Sequence, residues 1–155
     1  MLKKNYLIGF LALLGAVPAL VAQATNFDRL VLAANFERAN AVVRGYIGGS
    51  YSLSTIAMRD RGGNVCIGYG DPTPDHLLVL EADFSELTLK VNSRGKDTTL
   101  VIQGSDGSVR CSFGSRDNPD AVLSDTDWKA GEYKVWVGSI NANQTGNYTL
   151  SARQN

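Results

Sequence analysis

From Arg44 onward the chain is written in short runs in which apolar and polar residues alternate, each run closed by a turn signal. Period-2 patterning puts one face of an extended segment into a core and the other outside, and it does not suit a helix. Leu87, Leu89 and Val91 alternate with Thr88 and Lys90, and Thr98, Leu100 and Ile102 share one face of the next run. Tyr133, Val135 and Val137 alternate with Lys134 and Trp136, and Tyr148 and Leu150 close the series. Between these runs stand Ser93-Arg94-Gly95-Lys96, Ser105-Asp106-Gly107, Lys129-Ala130-Gly131 and residues 141–146. Asp106-Gly107 is a hairpin signal with a mechanism, because tight hairpin turns need positive φ, which Gly and Asp tolerate. Strands recurring at this spacing predict an all-β antiparallel sandwich over residues 44–155, rather than an α/β fold.

The N-terminal stretch follows another rule. Lys3 and Lys4 precede an apolar run over residues 7–21, and Ala22-Gln23-Ala24 is a small-x-small ending. Those three parts make residues 1–24 a cleaved secretory signal, with Thr25 the first mature residue. An uncleaved anchor is the alternative, disfavoured by the short apolar core. The absence of cysteine at the cleavage point argues against a lipid-anchored protein. Removing residues 1–24 leaves 131 residues and takes two lysines from 15 basic groups against 15 acidic ones, so the formal charge moves from 0 to −2. A chain of that size forms one domain that buries roughly two-thirds of its unfolded surface. No remaining apolar run is long enough to span a bilayer, and no basic excess drives nucleic-acid binding. An exported protein, periplasmic or extracellular, is the expectation. Over residues 25–43, Phe27, Leu30, Val31 and Ala34 fall at helical spacing behind a Thr25–Asp28 cap pair. A short helix or a leader without regular structure fits that segment.

Cys66 and Cys111 are the only cysteines. An even count in an oxidising compartment reads first as one disulfide, and two buried thiols are the alternative. Closing a 45-residue loop stabilises by at most roughly 4 kcal/mol on the chain-entropy model. A zinc site lacks ligands, since His76 is the only histidine. A faint internal echo accompanies the cysteines: each is followed nine residues later by an aspartate, Asp75 or Asp120, in a Pro-Asp phrase. A duplicated strand–loop–strand unit, or two similar hairpins arising by chance, would give that echo.

The phrases Asp97-Thr98-Thr99-Leu100, Asp106-Gly107-Ser108, Ala130-Gly131-Glu132-Tyr133-Lys134-Val135-Trp136-Val137 and Tyr148-Thr149-Leu150 together resemble the bacterial pre-peptidase C-terminal domain family. The likeness covers residues 87–152, about half of the mature chain. Asp60-Arg61-Gly62-Gly63-Asn64-Val65-Cys66 and Pro74-Asp75-His76 look like small exported single-domain cyanobacterial proteins that carry such a domain. The resemblance implies a jelly-roll-like sandwich without catalysis of its own, of a kind usually appended to secreted proteases. There it aids secretion or binds polymeric substrates, and some relatives bind calcium. Here the domain is expected to make up nearly the whole mature chain. Ser112-Phe113-Gly114-Ser115 stands where the resemblance leads one to expect a pair of aspartates, which weakens a calcium site at that position.

Asp117, Asn118, Asp120, Asp125 and Asp127 crowd one short stretch. Calcium takes about six to eight oxygens, which such a cluster can supply, and the same residues also suit solvated turns. The EF-hand spacing is absent. Trp136 points opposite to its neighbours Val135 and Val137, so with Trp128 it would form a platform for sugar or peptide, or else pack under a loop. His76 follows Asp75, which could orient the imidazole, but no G-x-S-x-G elbow supplies a nucleophile, and a structural histidine is expected. Glu81, Asp83 and Glu86 read as turn and edge charges rather than a glycosidase pair, and the sequons at Asn143 and Asn147 read as turn residues. The expectation is an exported, non-catalytic binding or accessory module for a polymer, a cell surface or a partner protein. No cofactor is expected apart from calcium. A calcium-stabilised structural or cell-surface protein is the alternative, and a small hydrolase is disfavoured.

Overall fold

The structure, a computed structural model, describes residues 24–154. The expected signal, apart from Ala24, lies outside the described residues. The alternating runs do become strands: β1 (Leu30–Leu32), β2 (Val42–Ile47), β3 (Tyr51–Ser52), β4 (Tyr69–Gly70), β5 (His76–Leu80), β6 (Phe84–Asn92), β7 (Thr98–Gly104), β8 (Val109–Phe113), β9 (Val122–Trp128), β10 (Gly131–Ser139) and β11 (Gly146–Gln154). The helical content of the described residues is two single 3-10 turns, Arg38–Asn40 and Leu53–Thr55.

The strands make two sheets. One has seven strands, running β1-β5-β10 and then β4-β3, with β7 on the other side of β10 and β8 beyond it. The second has four, in the order β2-β11-β6-β9, all antiparallel. Leu78, Leu100, Ile102, Val135 and Val137 from the first face Leu87, Leu89, Val91, Leu123 and Leu150 from the second, and this is the main core. Of the four predicted turns, Asp106-Gly107 closes the β7–β8 hairpin, and the other three carry the chain from one sheet to the other. Arg94 and Gly95 (φ 61° and 93°) take the β6–β7 turn, and Gly107 (φ 82°) takes the β7–β8 turn. Asp106 there accepts hydrogen bonds from the Ser108 amide and hydroxyl.

Residues 25–43 differ from expectation. They hold no α-helix: Leu30 and Leu32 are buried while Val31 is 42% exposed, and β1 pairs parallel with β5. Over so short a segment the period-2 and period-3.6 patterns share positions, and the free edge of β5 decided between them. The sandwich therefore begins at Leu30 rather than Arg44, and its antiparallel ladders carry one parallel pair.

The two sheets differ on their outer sides. Behind the seven-stranded sheet a smaller core forms from Leu53, Cys66, Val101, Val109, Cys111 and Trp136, with Tyr51, Ile56 and Ala57 packed against it. Cys66 and Cys111 are disulfide-bonded, with Cα atoms 5.5 Å apart, so the covering segment is tied to β8. The cysteines are not equivalent, one being in a loop and the other in a strand, as a duplicated unit would not place them. The aspartates of the echo do match in role. Each precedes a strand and takes a backbone N–H from another part of the chain: Asp75 from Val137 (2.7 Å) and Asp120 from Ser93 (2.8 Å). Among the described residues the four-stranded sheet has no such cover, and Arg44, Tyr46, Lys90, Asn92, Asn147 and Arg153 are exposed on its outer side.

Candidate functional site

The residues that most suggest chemistry are buried in the sandwich. His76, at the start of β5, is fully buried. Its Nδ1 lies 2.6 Å from the Asp28 carbonyl oxygen, which can only accept, so Nδ1 carries the proton. Nε2 is then the acceptor for the Tyr148 hydroxyl at 2.8 Å. Burial lowers the His76 pKa and raises that of Tyr148, so both stay neutral in this arrangement. Burial also pushes the adjacent Asp75 carboxyl up to about 6, against the opposing bonds from Val137 N–H and Asn26. Among the described residues no serine, threonine or cysteine is hydrogen-bonded to His76, and its second nitrogen is spent on a tyrosine across the core.

A second polar centre stands beside Trp128. Arg110 is 3% exposed; its Nε donates to Asp125 Oδ2 at 2.8 Å and a terminal nitrogen to the Asp127 carbonyl at 3.1 Å. Its guanidinium carbon lies 4.0 Å from the centre of the Trp128 ring. Arg61 reaches the same Asp125 oxygen at 3.3 Å, and the Trp128 indole N–H donates to the Asp125 carbonyl.

The acidic residues do not converge. Asp120 accepts from Ser93, Asp125 is paired with Arg110 and Arg61, and Asp127 is paired with Lys129 at 2.9 Å. Hydrogen bonding to Lys129 holds the Asp127 carboxyl below its usual range. Asn118 and Ser115 close a small turn on each other, and Asp117 is exposed. Among the described residues no three His, Cys, Asp or Glu side chains gather as a metal-holding group. Trp128 and Trp136 form no surface platform either. Trp128 is fully buried, and Trp136 sits beneath the covering segment with its indole N–H on the Pro72 carbonyl at 3.3 Å. The face that a two-layer pattern would leave wet is closed by residues distant in sequence.

Open concavities remain on both sides. A groove of about 580 Å³ runs between the tied loop and the edges of β8 and β9, past Asp60, Arg61, Val65, Phe113 and Asp125. The loop has already used much of that β8 edge: Arg61 N–H donates to the Val109 carbonyl, and Asp60 receives the Cys111 N–H. Burial works to raise the Asp60 pKa, but this bond and those from Asn64 and Gly62 hold it below its usual range.

The larger groove, about 760 Å³, lies at the end of the uncovered sheet. Arg44 from β2, Arg94 and Lys96 from the β6–β7 turn, and Asn92, Asn147 and Thr149 line it. Sequence reasoning missed this site, because Arg44 is about 50 residues from Arg94 and Lys96, which the sequence offers only as turn residues. The available signal was the polar side of the alternation: Arg44, Thr149 and Asn92 lie in one cross-strand row.

The sequence matches no family model and no curated protein. The solved structures similar to it include two described by name. One is the pre-peptidase C-terminal domain of collagenase from Bacillus anthracis, at 15% identity and a TM-score of 0.48. The other is CorA of Methylomicrobium album BG8, described as a surface-associated copper-binding protein important in copper acquisition, at 8% identity and a TM-score of 0.52. Each comparison covers 85% of this chain and 100% of the other. The likeness is one of fold.

Proposed function

We propose that this chain is an exported, non-catalytic β-sandwich module that binds a polymeric ligand on the outer side of its four-stranded sheet. The observation that carries this reading is the contrast between the two sheets. The small core and the disulfide-tied segment lie behind the seven-stranded sheet, while the four-stranded sheet presents an uncovered polar face with the larger groove at its end. The side chains with catalytic potential are engaged with neighbours, His76 with Tyr148 inside the core and Asp125 with Arg110 at the groove wall. Export is supported by the three-part N-terminal pattern and by the disulfide, a bond that persists in oxidising compartments. The metal named for the copper-binding relative does not carry over: this chain's one histidine is buried and hydrogen-bonded at both nitrogens, and both cysteines are bonded to each other.

The test is affinity electrophoresis of the secreted chain through gels containing a panel of neutral and charged polysaccharides, beside a hydrolase panel on the same polymers. Retardation by at least one polymer without turnover is expected. Retardation by none, or turnover abolished by His76→Ala in a protein that stays folded, overturns the reading.

A further inference from the structure

We propose that the ligand is a polyanionic glycan, an acidic polysaccharide laid along the cations of the four-stranded sheet. This inference rests on the binding-module reading above and adds its ligand class.

The face has a sign. Arg44, Arg94 and Lys96 line the groove, and Lys90 and Arg153 continue on the outer side of β6 and β11. None of these five makes an ion pair among the described residues, and neither do Arg29, Arg38, Arg59, Arg116 and Lys134 elsewhere, so what marks the face is that five cations stand on one side of one sheet. Three acids lie near: Asp120 is turned to Ser93, accepting both its amide and its hydroxyl, Glu86 accepts from Ser124 on the same side of β6, and Asp97, exposed, follows Lys96. A chain whose mature net charge is −2 thus sets five cations against fewer carboxylates on one side of a sheet. Like charges held together repel, and a bound polyanion relieves that repulsion while releasing its own counter-ions.

The cations also form a track rather than a cup. Register places Arg44 in a row with Thr149 and Asn92, Lys90 in a row with Ser151 and Val42, and Arg153 in a row with Thr88. A single phosphate or carboxylate would use one end of such an array, and a polymer with repeated charges uses all of it. Between the cations the surface is hydroxyl and amide, suited to sugar hydroxyls, and Tyr46, 49% exposed and opposite Asn147, offers a ring face to a pyranose.

One backbone detail sets Lys96 in place. The Lys96 stem lies across Gly146, where a Cβ would fall 2.3 Å from Cε and 2.7 Å from Cδ. Glycine leaves room for the stem to lie flat against the start of β11. A methyl there displaces a flexible chain end and little else.

The experiment uses the secreted chain with polygalacturonate as acidic probe, neutral galactan as uncharged control and double-stranded DNA as a polyanion without sugar-acid chemistry. Affinity electrophoresis and calorimetry are run at several salt concentrations, and thermal melting checks folding. Polygalacturonate binding that weakens steeply with salt is expected, with neutral galactan unbound and DNA bound more weakly. The triple variant Arg44→Gln, Arg94→Gln, Lys96→Gln should lose about tenfold or more in affinity. Gly146→Ala should weaken binding with little change in melting, and Lys134→Gln on the other sheet should change neither. DNA binding as tight as polygalacturonate, or a folded triple variant that binds as the parent does, overturns the inference. Binding of neutral but not acidic glycan overturns it and leaves the binding module standing. Binding of none of the three overturns the inference, and only retardation by none of the wider polysaccharide panel removes the binding module as well.

Discussion

The Tyr148 hydroxyl and His76 Nε2, 72 residues apart in the chain, meet at 2.8 Å between the two sheets of the sandwich. His76 opens β5 of the seven-stranded sheet and Tyr148 lies in β11 of the four-stranded one, so this single bond ties the layers together. Gly45 makes the approach feasible, since a Cβ there would come within 2.3 Å of the tyrosine ring. Phe27 packs against both rings, edge-on to Tyr148 and tilted over His76.

Tyr148→Phe removes the donor and leaves a buried imidazole nitrogen without a partner. A loss of about 1–3 kcal/mol in urea unfolding is expected. Gly45→Ala should cost at least about as much, by overpacking against a fully enclosed ring. A Tyr148→Phe protein as stable as the parent would remove the bond from the account of sheet-to-sheet docking.

Asp75 gives a signed pH dependence. Its folded pKa of about 6 lies above the ordinary 3.8, so the native state binds the proton more tightly than the unfolded chain. Its contribution is most favourable below about pH 3.8 and is lost as pH rises to about 6. His76 has a lowered pKa and acts the other way, with stability falling as pH drops below 6.5. Asp75→Asn keeps an oxygen for the Val137 N–H but cannot ionise. Relative to the parent it should gain on the order of 3 kcal/mol between pH 4 and pH 7, read from urea midpoints. A difference that stays flat with pH would rule out a buried, titrating Asp75.

Reduction of Cys66–Cys111, or the double change to alanine, should cost up to roughly 4 kcal/mol. It should also loosen the segment whose Asp60 and Arg61 cover the β8 edge. Uncovered edges template pairing between chains, so concentration-dependent association is expected by size-exclusion chromatography. A reduced protein that stays monomeric at high concentration would show that the edge is guarded by something else.

Arg110→Ala removes the buried partner of Asp125 and the cation above Trp128. About 2 kcal/mol or more of stability should be lost, with Arg61 offsetting part of the remaining charge. Arg110→Lys should not restore it, because an ammonium cannot reach both Asp125 and the Asp127 carbonyl from one planar fork.

Much of the fold was legible because it rests on local rules. Leu87, Leu89 and Val91 bury by alternation, and Arg94, Gly95 and Gly107 take the positive φ values that their turns demand. The N-terminal segment was not legible, because Leu30 and Leu32 fit two periods and only pairing with β5 chooses one. Trp136 was half legible: its direction followed from alternation, but its cover comes from residues 51–66, which no local pattern assigns to it. The acidic stretch was misleading for the same reason. Proximity in sequence put Asp120, Asp125 and Asp127 together, and separate partners in space took them apart.

By itself the sequence determined the strands, the turns and the pair of cysteines, since side-chain period, backbone freedom and thiol count are properties of a few neighbouring residues. Tertiary structure alone decided which sheet face is covered, which acids meet arginines and which cations stand together. Those outcomes depend on strands brought side by side from distant parts of the chain, as Arg44, Asn92 and Thr149 are in one row across three strands.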